Sequence, residues 1–340
     1  MPDLNPSHIL QVGMGFFASK TLLSAVELGL FTELSKRPMT GAEIAQSLAL
    51  NSRAVPDFPD ALVALGLLQR TGDGPDARYS NTPESAMFLD SGSSGYVGGI
   101  LEMANARLYR FWADLTEALR TGLPQNETKH SGESMFAKLY EVPERLEQFM
   151  GAMSGISAGN FRAFAQKFNF AKFGTLCDVG GATGQLSCMV AAANPHMRCT
   201  SFDLPNVVPI ATRKIMQAGL GERVTAVGGD FFVDPLPRAD VITMGMILHD
   251  WNLEKKKALI RKAYEALPEG GAFIVIEALI DDERRKNAFG LLMSLNMLIE
   301  FGDAFDYTAS DFETWCREAG FRKFEVIPLT GPSSAAVAYK

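Results

Sequence analysis

The segment Leu176–Gln185, reading L-C-D-V-G-G-A-T-G-Q, constrains the fold more than any other part of this 340-residue chain. An apolar run reaches Asp178, glycines follow at 180, 181 and 184, and a helix-like stretch from Gln185 to Ala193 begins at once. A strand, a tight turn and a helix start in that order form the opening unit of a parallel α/β sheet. Glycines suit a turn whose backbone must lie against a bound group, because a Cβ would hold that group off. The pattern predicts a pocket for a dinucleotide or another adenosine-bearing cofactor.

From about residue 171 strand-like and helix-like segments alternate, which predicts a parallel sheet with helices on both faces. Candidate strands are 175–179, 198–203, 224–228, 240–244, 272–277 and 323–328. Asp203 ends the second strand, where an acid can accept hydrogen bonds from both hydroxyls of a ribose. Gly229-Asp230-Phe231 closes the third, setting a carboxylate for an exocyclic amine beside a ring for stacking. The fourth runs into Ile247-Leu248-His249-Asp250-Trp251-Asn252. His249 thus falls at the carboxyl edge of the sheet, where ligands of open α/β sheets bind. An imidazole titrating near neutrality can take a proton from a substrate hydroxyl. A histidine bonded to backbone at a strand end would read the same way.

The first 105 residues follow a different grammar. Residues 8–34 are apolar at helical spacing through Leu10, Phe16, Phe17, Leu22, Leu23 and Val26. Thr40, with Glu43 three residues on, predicts a capping box. A second helix ending at Leu68, a turn at 71–75 and a short strand at 77–80 complete a winged helix. DNA binding would demand a basic surface. Residues 1–105 instead hold 6 Lys+Arg against 11 Asp+Glu, and the would-be recognition helix offers Arg53 but also Asp57 and Asp60. A scaffold or dimerisation role fits better, with a ligand-sensing regulator as the distant alternative. Residues 106–170 are helical and rich in Phe and Met: Phe111, Trp112, Phe136, Phe149, Met150, Met153, Phe161 and Phe164. Such a stripe packs between domains and can also wall an apolar pocket. The expected division is 1–105, 106–170 and 171–340.

A net charge of −7 disfavours nucleic acid and acidic membranes as partners. Cysteines at 177, 188, 199 and 316 have neither CxxC nor zinc spacing and predict buried thiols in a reducing compartment. The start, Met1-Pro2-Asp3-Leu4-Asn5, lacks a basic region followed by an apolar stretch, so no secretory signal is expected. Lys20 and Glu27 interrupt the best candidate for a membrane span. The expectation is a soluble, cytoplasmic protein.

The motifs taken together are specific. D-V-G-G-A-T-G at 178–184, F-D-L-P at 202–205, G-G-D-F-F at 228–232 and L-H-D-W at 248–251 resemble those of the class I S-adenosylmethionine-dependent O-methyltransferases of the plant caffeate and animal hydroxyindole type. The resemblance covers nearly the whole chain. It implies an α/β fold: a Rossmann-like class I methyltransferase domain with a mostly parallel sheet, preceded by an α-helical winged-helix dimerisation domain. The implied partners are a small aromatic substrate and a second copy of the chain. The implied cofactor is S-adenosyl-L-methionine, leaving as S-adenosyl-L-homocysteine. Its contacts fall on Asp178, Gly180, Gly181, Gly184, Asp203, Leu204, Gly229, Asp230, Phe231 and Trp251. The family's general base falls on His249. Its orienting acid, 28 residues later, falls on Glu277. A second family acid falls on Asp306, an Asp where Glu is commoner and therefore of shorter reach. Pocket positions map to Phe149, Met153, Met246, Asp250, Met293, Asn296, Met297 and Glu300. The family often carries Lys or Arg four residues before the histidine. Gly245 stands there, so one cofactor contact is lost or replaced.

The chemistry agrees with the resemblance. Methyl transfer from a sulfonium is an in-line displacement, so alignment supplies much of the acceleration. A phenol of pKa about 10 is a poor nucleophile at neutral pH, and a base backed by a carboxylate helps. No metal is needed for that scheme. The alternatives are methylation of nitrogen, or metal-assisted C-methylation of a 2-oxo acid with His249, Asp250 and Glu300 as ligands. One imidazole is fewer than iron sites of that kind usually provide. An NAD-dependent oxidoreductase is disfavoured because G-G-A-T-G lacks the third glycine at dinucleotide spacing.

Overall fold

The structure, a computed structural model, describes residues 4–127, 129 and 143–340. Phe136, one of the aromatic residues singled out above, lies outside them. The chain divides into two units, Met1–Arg110 and Phe111–Lys340.

In the N-terminal unit the capping box forms. Thr40 Oγ1 accepts from the Glu43 N–H, the Glu43 carboxylate accepts from the Thr40 N–H at 2.7 Å, and the helix Gly41–Ser47 begins. Strands β1 (Met39–Thr40), β2 (Leu68–Thr71) and β3 (Arg78–Asn81) pair antiparallel in the order β1-β3-β2. Leu68, expected at the end of a helix, belongs to β2. The helix Asp57–Ala64 stops short because Gly66 takes a left-handed φ of +74°, which turns the chain into the strand. Leu30, Phe31, Ile44 and Leu62 fill the core of this unit.

The expectation that Lys20 and Glu27 spoil a membrane span needs correction. The helical stretch Ser7–Glu27 is long and apolar enough to cross a membrane by length and composition, with a mean hydropathy of 1.4. The two charges do not disperse along it, because Lys20 Nζ sits 3.9 Å from the Glu27 carboxylate. The far end of this stretch packs inward through Leu23, Ala25 and Val26. Ile9, Leu10, Val12, Phe16 and Phe17 are each more than half exposed. An open apolar face of this size on a folded unit marks a surface that something else covers.

The C-terminal unit is built on seven strands: β4 (Thr175–Val179), β5 (Arg198–Asp203), β6 (Val224–Gly228), β7 (Val241–Gly245), β8 (Ala272–Glu277), β9 (Lys323–Pro328) and β10 (Ser334–Tyr339). Their order is β6-β5-β4-β7-β8-β10-β9. The first five run parallel, and β10 is antiparallel to both β8 and β9. Alternate residues of β8 feed opposite faces: Phe273 and Val275 join one core, Ile274 and Ile276 the other. Covered on both sides, β8 is apolar throughout until Glu277. Strand order reverses between β4 and β7, and the carboxyl edge there is the crevice in which open α/β sheets bind ligands. Cys177, Cys199 and Cys316 are buried, and all four cysteines are free thiols.

Candidate active site

The glycine turn after β4 is shaped by the protein's own packing. Gly180 takes φ +70° and Gly184 φ +75°. A Cβ on Gly180 would meet Ile247 Cδ1 at 2.3 Å, and one on Gly181 would meet the Ser201 hydroxyl at 2.3 Å. The first reason for glycine here is therefore internal contact and backbone conformation rather than the approach of a ligand. Burial pushes the Asp178 carboxyl up to about 7, although Thr243 Oγ1 donates to it at 2.8 Å. Asp203 accepts from the Ala182 N–H at 2.8 Å and the Leu204 N–H at 2.7 Å, which ties the turn to the end of β5. Each oxygen keeps a further lone pair. Gly229 donates its N–H to the Asp203 carbonyl at 2.9 Å. Asp230 accepts from the Phe232 N–H at 2.8 Å. Phe231 packs edge-on against Phe232 at 4.8 Å and Trp251 at 6.1 Å. Two acids and two rings stand at the ends of adjacent strands. That set suits the hydroxyls, the amine and the flat base of an adenosine.

The second half of the edge is a buried charge cluster. Beyond β7, Met246 holds φ +57°, a left-handed conformation costing a non-glycine residue about 1–2 kcal/mol, and a short turn, Leu248–Asp250, follows. Non-glycine strain of this kind concentrates at functional sites. His249 is buried, with Nδ1 3.3 Å from an Asp306 oxygen and Nε2 3.4 Å from an Asp250 oxygen. Glu277 does not reach the ring. Its Oε1 accepts from the backbone N–H groups of Ile247 and His249, each at 3.2 Å. Glu277 ends the strand next to β7, so its side chain meets the backbone of the turn that leaves β7. Asp306 arrives through a long-range link. The Ile280 N–H donates to the Tyr307 carbonyl at 3.0 Å, and Ile280 pairs with Thr308, which caps the helix Ala309–Ala319. The acids at the imidazole are therefore Asp306 beside Nδ1 and Asp250 beside Nε2, whereas Glu277 holds the turn.

Burial disfavours the imidazolium, but Asp250, Asp306 and Glu277 outweigh it and lift His249 to about 10. Burial pushes Asp250 up to about 7 against the pull of His249, and raises Glu277 as well. Lys256, not singled out in the sequence, lies behind this cluster and donates to the Trp251 carbonyl. Burial lowers its ammonium from the ordinary lysine value, while Glu277, Asp306, Asp250 and Asp303 resist that and favour the charged form.

The predicted substrate positions fall on two helices beside this edge. Phe149 and Met153 are half-buried, four residues apart on one face of Pro143–Lys167. Met293, Asn296, Met297 and Glu300 share a face of Ala288–Phe301, which packs against the Leu248–Asp250 turn. Asn296 Oδ1 accepts from Trp112 Nε1 at 2.9 Å, a partner the sequence did not suggest. Glu300 is buried, and its carbonyl accepts from Asn126 Nδ2 at 2.8 Å. At Gly245, Phe161 Cε1 lies 3.0 Å from where a Cβ would stand. The Phe161 ring thus stands where a side chain at 245 would leave the backbone. Among the described residues no group of three or more His, Cys, Asp or Glu side chains is placed to hold a metal ion, so His249, Asp250 and Glu300 are not gathered as ligands.

With this geometry in view, residues 112–322 match a family model described as an O-methyltransferase domain, and residues 10–91 one described as an O-methyltransferase dimerisation domain. The chain is 40% identical to the tetracenomycin polyketide synthesis 8-O-methyl transferase TcmO of Streptomyces glaucescens, over 98% of this chain and 97% of that protein. It is 37% identical to the N,N-dimethyltransferase OxyT of Streptomyces rimosus, over 94% of this chain and 92% of that protein. The crystal structure of human N-acetylserotonin methyltransferase in complex with SAM is similar with a TM-score of 0.91 at 30% identity, covering 100% of this chain and 99% of that one.

Proposed function

This chain belongs to the S-adenosylmethionine-dependent O-methyltransferase family, and we propose that it methylates a hydroxyl of an aromatic natural product with His249 as general base. The observation that carries the base assignment is the imidazole's place between two acids, with Nδ1 3.3 Å from Asp306 and Nε2 3.4 Å from Asp250. Asp306 fixes the ring and stabilises its charge. Nε2 is then the nitrogen that meets a substrate hydroxyl, and Asp250 is placed to accept from the same group. The carboxylates around the ring raise its proton affinity, which brings it nearer that of a phenolate and eases the proton's transfer once the ring is in its base form. S-adenosylmethionine, when bound, supplies a methyl group activated on a positively charged sulfur. Asp203 is placed for the ribose hydroxyls, and Asp230 with Phe231 for the adenine. Asp178, Gly180, Gly181, Gly184, Leu204, Gly229 and Trp251 frame the same pocket. Closing the sheet edge with apolar side chains keeps water from competing as the nucleophile.

An aromatic acceptor is supported by the polyketide named for TcmO and by the Met-rich face of Ala288–Phe301. The identity to OxyT makes an amine acceptor the second reading. We assign the open apolar face of Ser7–Phe17 to contact with a second copy, a reading supported by the dimerisation-domain match, and place the enzyme in the cytoplasm. The test is transfer of a labelled methyl group to hydroxylated aromatic polyketides and to their amino counterparts. His249→Ala should lower transfer to hydroxyls by about 10²–10⁴-fold and leave calorimetric binding of S-adenosylhomocysteine in place. Full activity of that variant on a hydroxyl acceptor would remove the base assignment.

A further inference from the structure

Three lysines follow one another at the start of the helix Leu253–Ala266, and they meet three different fates. Lys255 is exposed, with its Nζ 4.7 Å from the centre of a Trp251 ring, and Lys257 pairs with Glu318 at 2.7 Å. Lys256 has 0% of its surface exposed. It stands at the inward register of the helix, in line with Leu259, Ile260 and Ala263, where an apolar side chain would be usual. Burying an ammonium is costly unless other charges compensate it. Here they do. Glu277 at the end of β8, Asp250 in the turn after β7, and Asp303 and Asp306 ahead of the helix Ala309–Ala319 all face it. Its Nζ also lies 3.9 Å from the Phe305 ring centre and 5.6 Å from that of Tyr307. Of these, Asp306 and Asp250 lie 3.3 and 3.4 Å from the His249 ring nitrogens, and Glu277 accepts from the His249 backbone N–H.

We propose that Lys256 is a positioning residue for methyl transfer, its buried charge offsetting the carboxylates around His249 and so setting the pH at which the imidazole is free to act as a base. The inference rests on His249 being that base. Without the lysine, three carboxylates face one imidazole, and the cluster holds its proton until a higher pH. With it, part of their field is cancelled, and the base form appears nearer neutrality. The sign does not depend on which atom of the cluster carries the proton, because removing a cation strengthens proton binding at every nearby site.

The experiment compares Lys256→Gln, Lys256→Met and Lys256→Arg by the pH dependence of kcat/KM and by NMR titration of 13C-labelled histidine. Gln keeps a donor for the Trp251 carbonyl but no charge, Met keeps neither, and Arg keeps both. The expected result is a rise of about one pH unit in the acid limb and in the His249 titration for Gln and Met. Arg should stay where the wild type is. At neutral pH that shift is roughly a tenfold loss, recovered in alkaline buffer. A loss equal at every pH, or a shift in Met that Gln does not share, overturns the proposal and leaves Lys256 as a tether for Trp251. If Met fails to fold, Gln and the NMR titration decide alone. If Gln moves the histidine titration but not the rate limb, the base assignment falls and the charge effect of Lys256 stands. If His249→Ala abolishes the limb while Gln moves neither readout, the lysine proposal falls and the base assignment stands.

Discussion

The two halves of the sheet's carboxyl edge use acids in opposite ways. At the ends of β5 and β6, Asp203 and Asp230 are satisfied by backbone N–H groups at 2.7–2.8 Å. Their positions are fixed by the main chain, and a ligand finds lone pairs already aimed at it. Beyond β7 and β8, the buried Glu277 and Asp306 and the partly buried Asp250 crowd one imidazole and one ammonium, with two contacts of 3.3–3.4 Å to the ring. Little water screens those charges, so each ionisation feels the others. The first half is built for affinity, whereas the second is built for proton affinity. Changes in the first should alter binding or stability without moving the pH profile. Changes in the second should move the profile before they unfold anything.

Asp306→Asn breaks that contrast most forcefully. Losing the carboxylate at Nδ1 removes both the orientation and the stabilised charge, so kcat should fall by about 10²-fold or more. The sign of the accompanying pH effect follows from the same geometry. His249 is raised above the ordinary imidazole value, so the wild-type kcat/KM should climb with pH into the alkaline range as the base form accumulates. With one lifting carboxylate gone, the limb should move to lower pH even as the plateau drops. A plateau that drops with an unmoved limb would show that Asp306 acts on geometry alone. In the other half, Gly181→Ala puts a Cβ 2.3 Å from the Ser201 hydroxyl. Such overpacking should cost about 1–3 kcal/mol in urea unfolding, with the limb of any residual activity unchanged. A moved limb there would mean that the two halves are electrically coupled.

The first half was also the more legible in sequence, for a physical reason. Its signals are local: glycines at left-handed φ, and acids that end their strands within a residue of where alternation stops. All six candidate strands are present, with the fourth shifted by one residue to Val241–Gly245. The strand that was missed, Ser334–Tyr339, reads S-A-A-V-A-Y. Its small alanines carry little strand signal, and its place is set by pairing on both sides with β8 and β9. The second half depends on residues brought together from far apart. The family resemblance implied Glu277 as the ring's orienting acid and Asp306 as a second one, and the Ile280–Thr308 bridge with the 3.3 Å contact places Asp306 beside the ring. The same limit hid Thr243 behind Asp178 and Trp112 beside Asn296. Lys256 was the exception that could have been found, since its spacing to Leu259, Ile260 and Ala263 marks an inward face. A run of three lysines reads instead as a solvated surface.

Glu277→Gln gives the smallest expected effect and the finest test of the division of labour between the two acids. The amide keeps a carbonyl oxygen able to accept from the Ile247 and His249 N–H groups, so the turn should survive. What is lost is one negative charge, the weakest influence among the three carboxylates that lift the imidazole. The fall in plateau kcat/KM should stay below about tenfold, or roughly 1.4 kcal/mol, with a small shift of the limb toward lower pH. The comparison with Asp306→Asn carries the weight, because both variants delete one charge at nearly constant shape. If Gln at 277 costs as much as Asn at 306, the ring takes its orientation from Glu277 through the backbone of the turn, as the family resemblance implies. If the two differ by an order of magnitude or more, the imidazole is held by the acid that touches it, and Glu277 serves the chain that carries the imidazole.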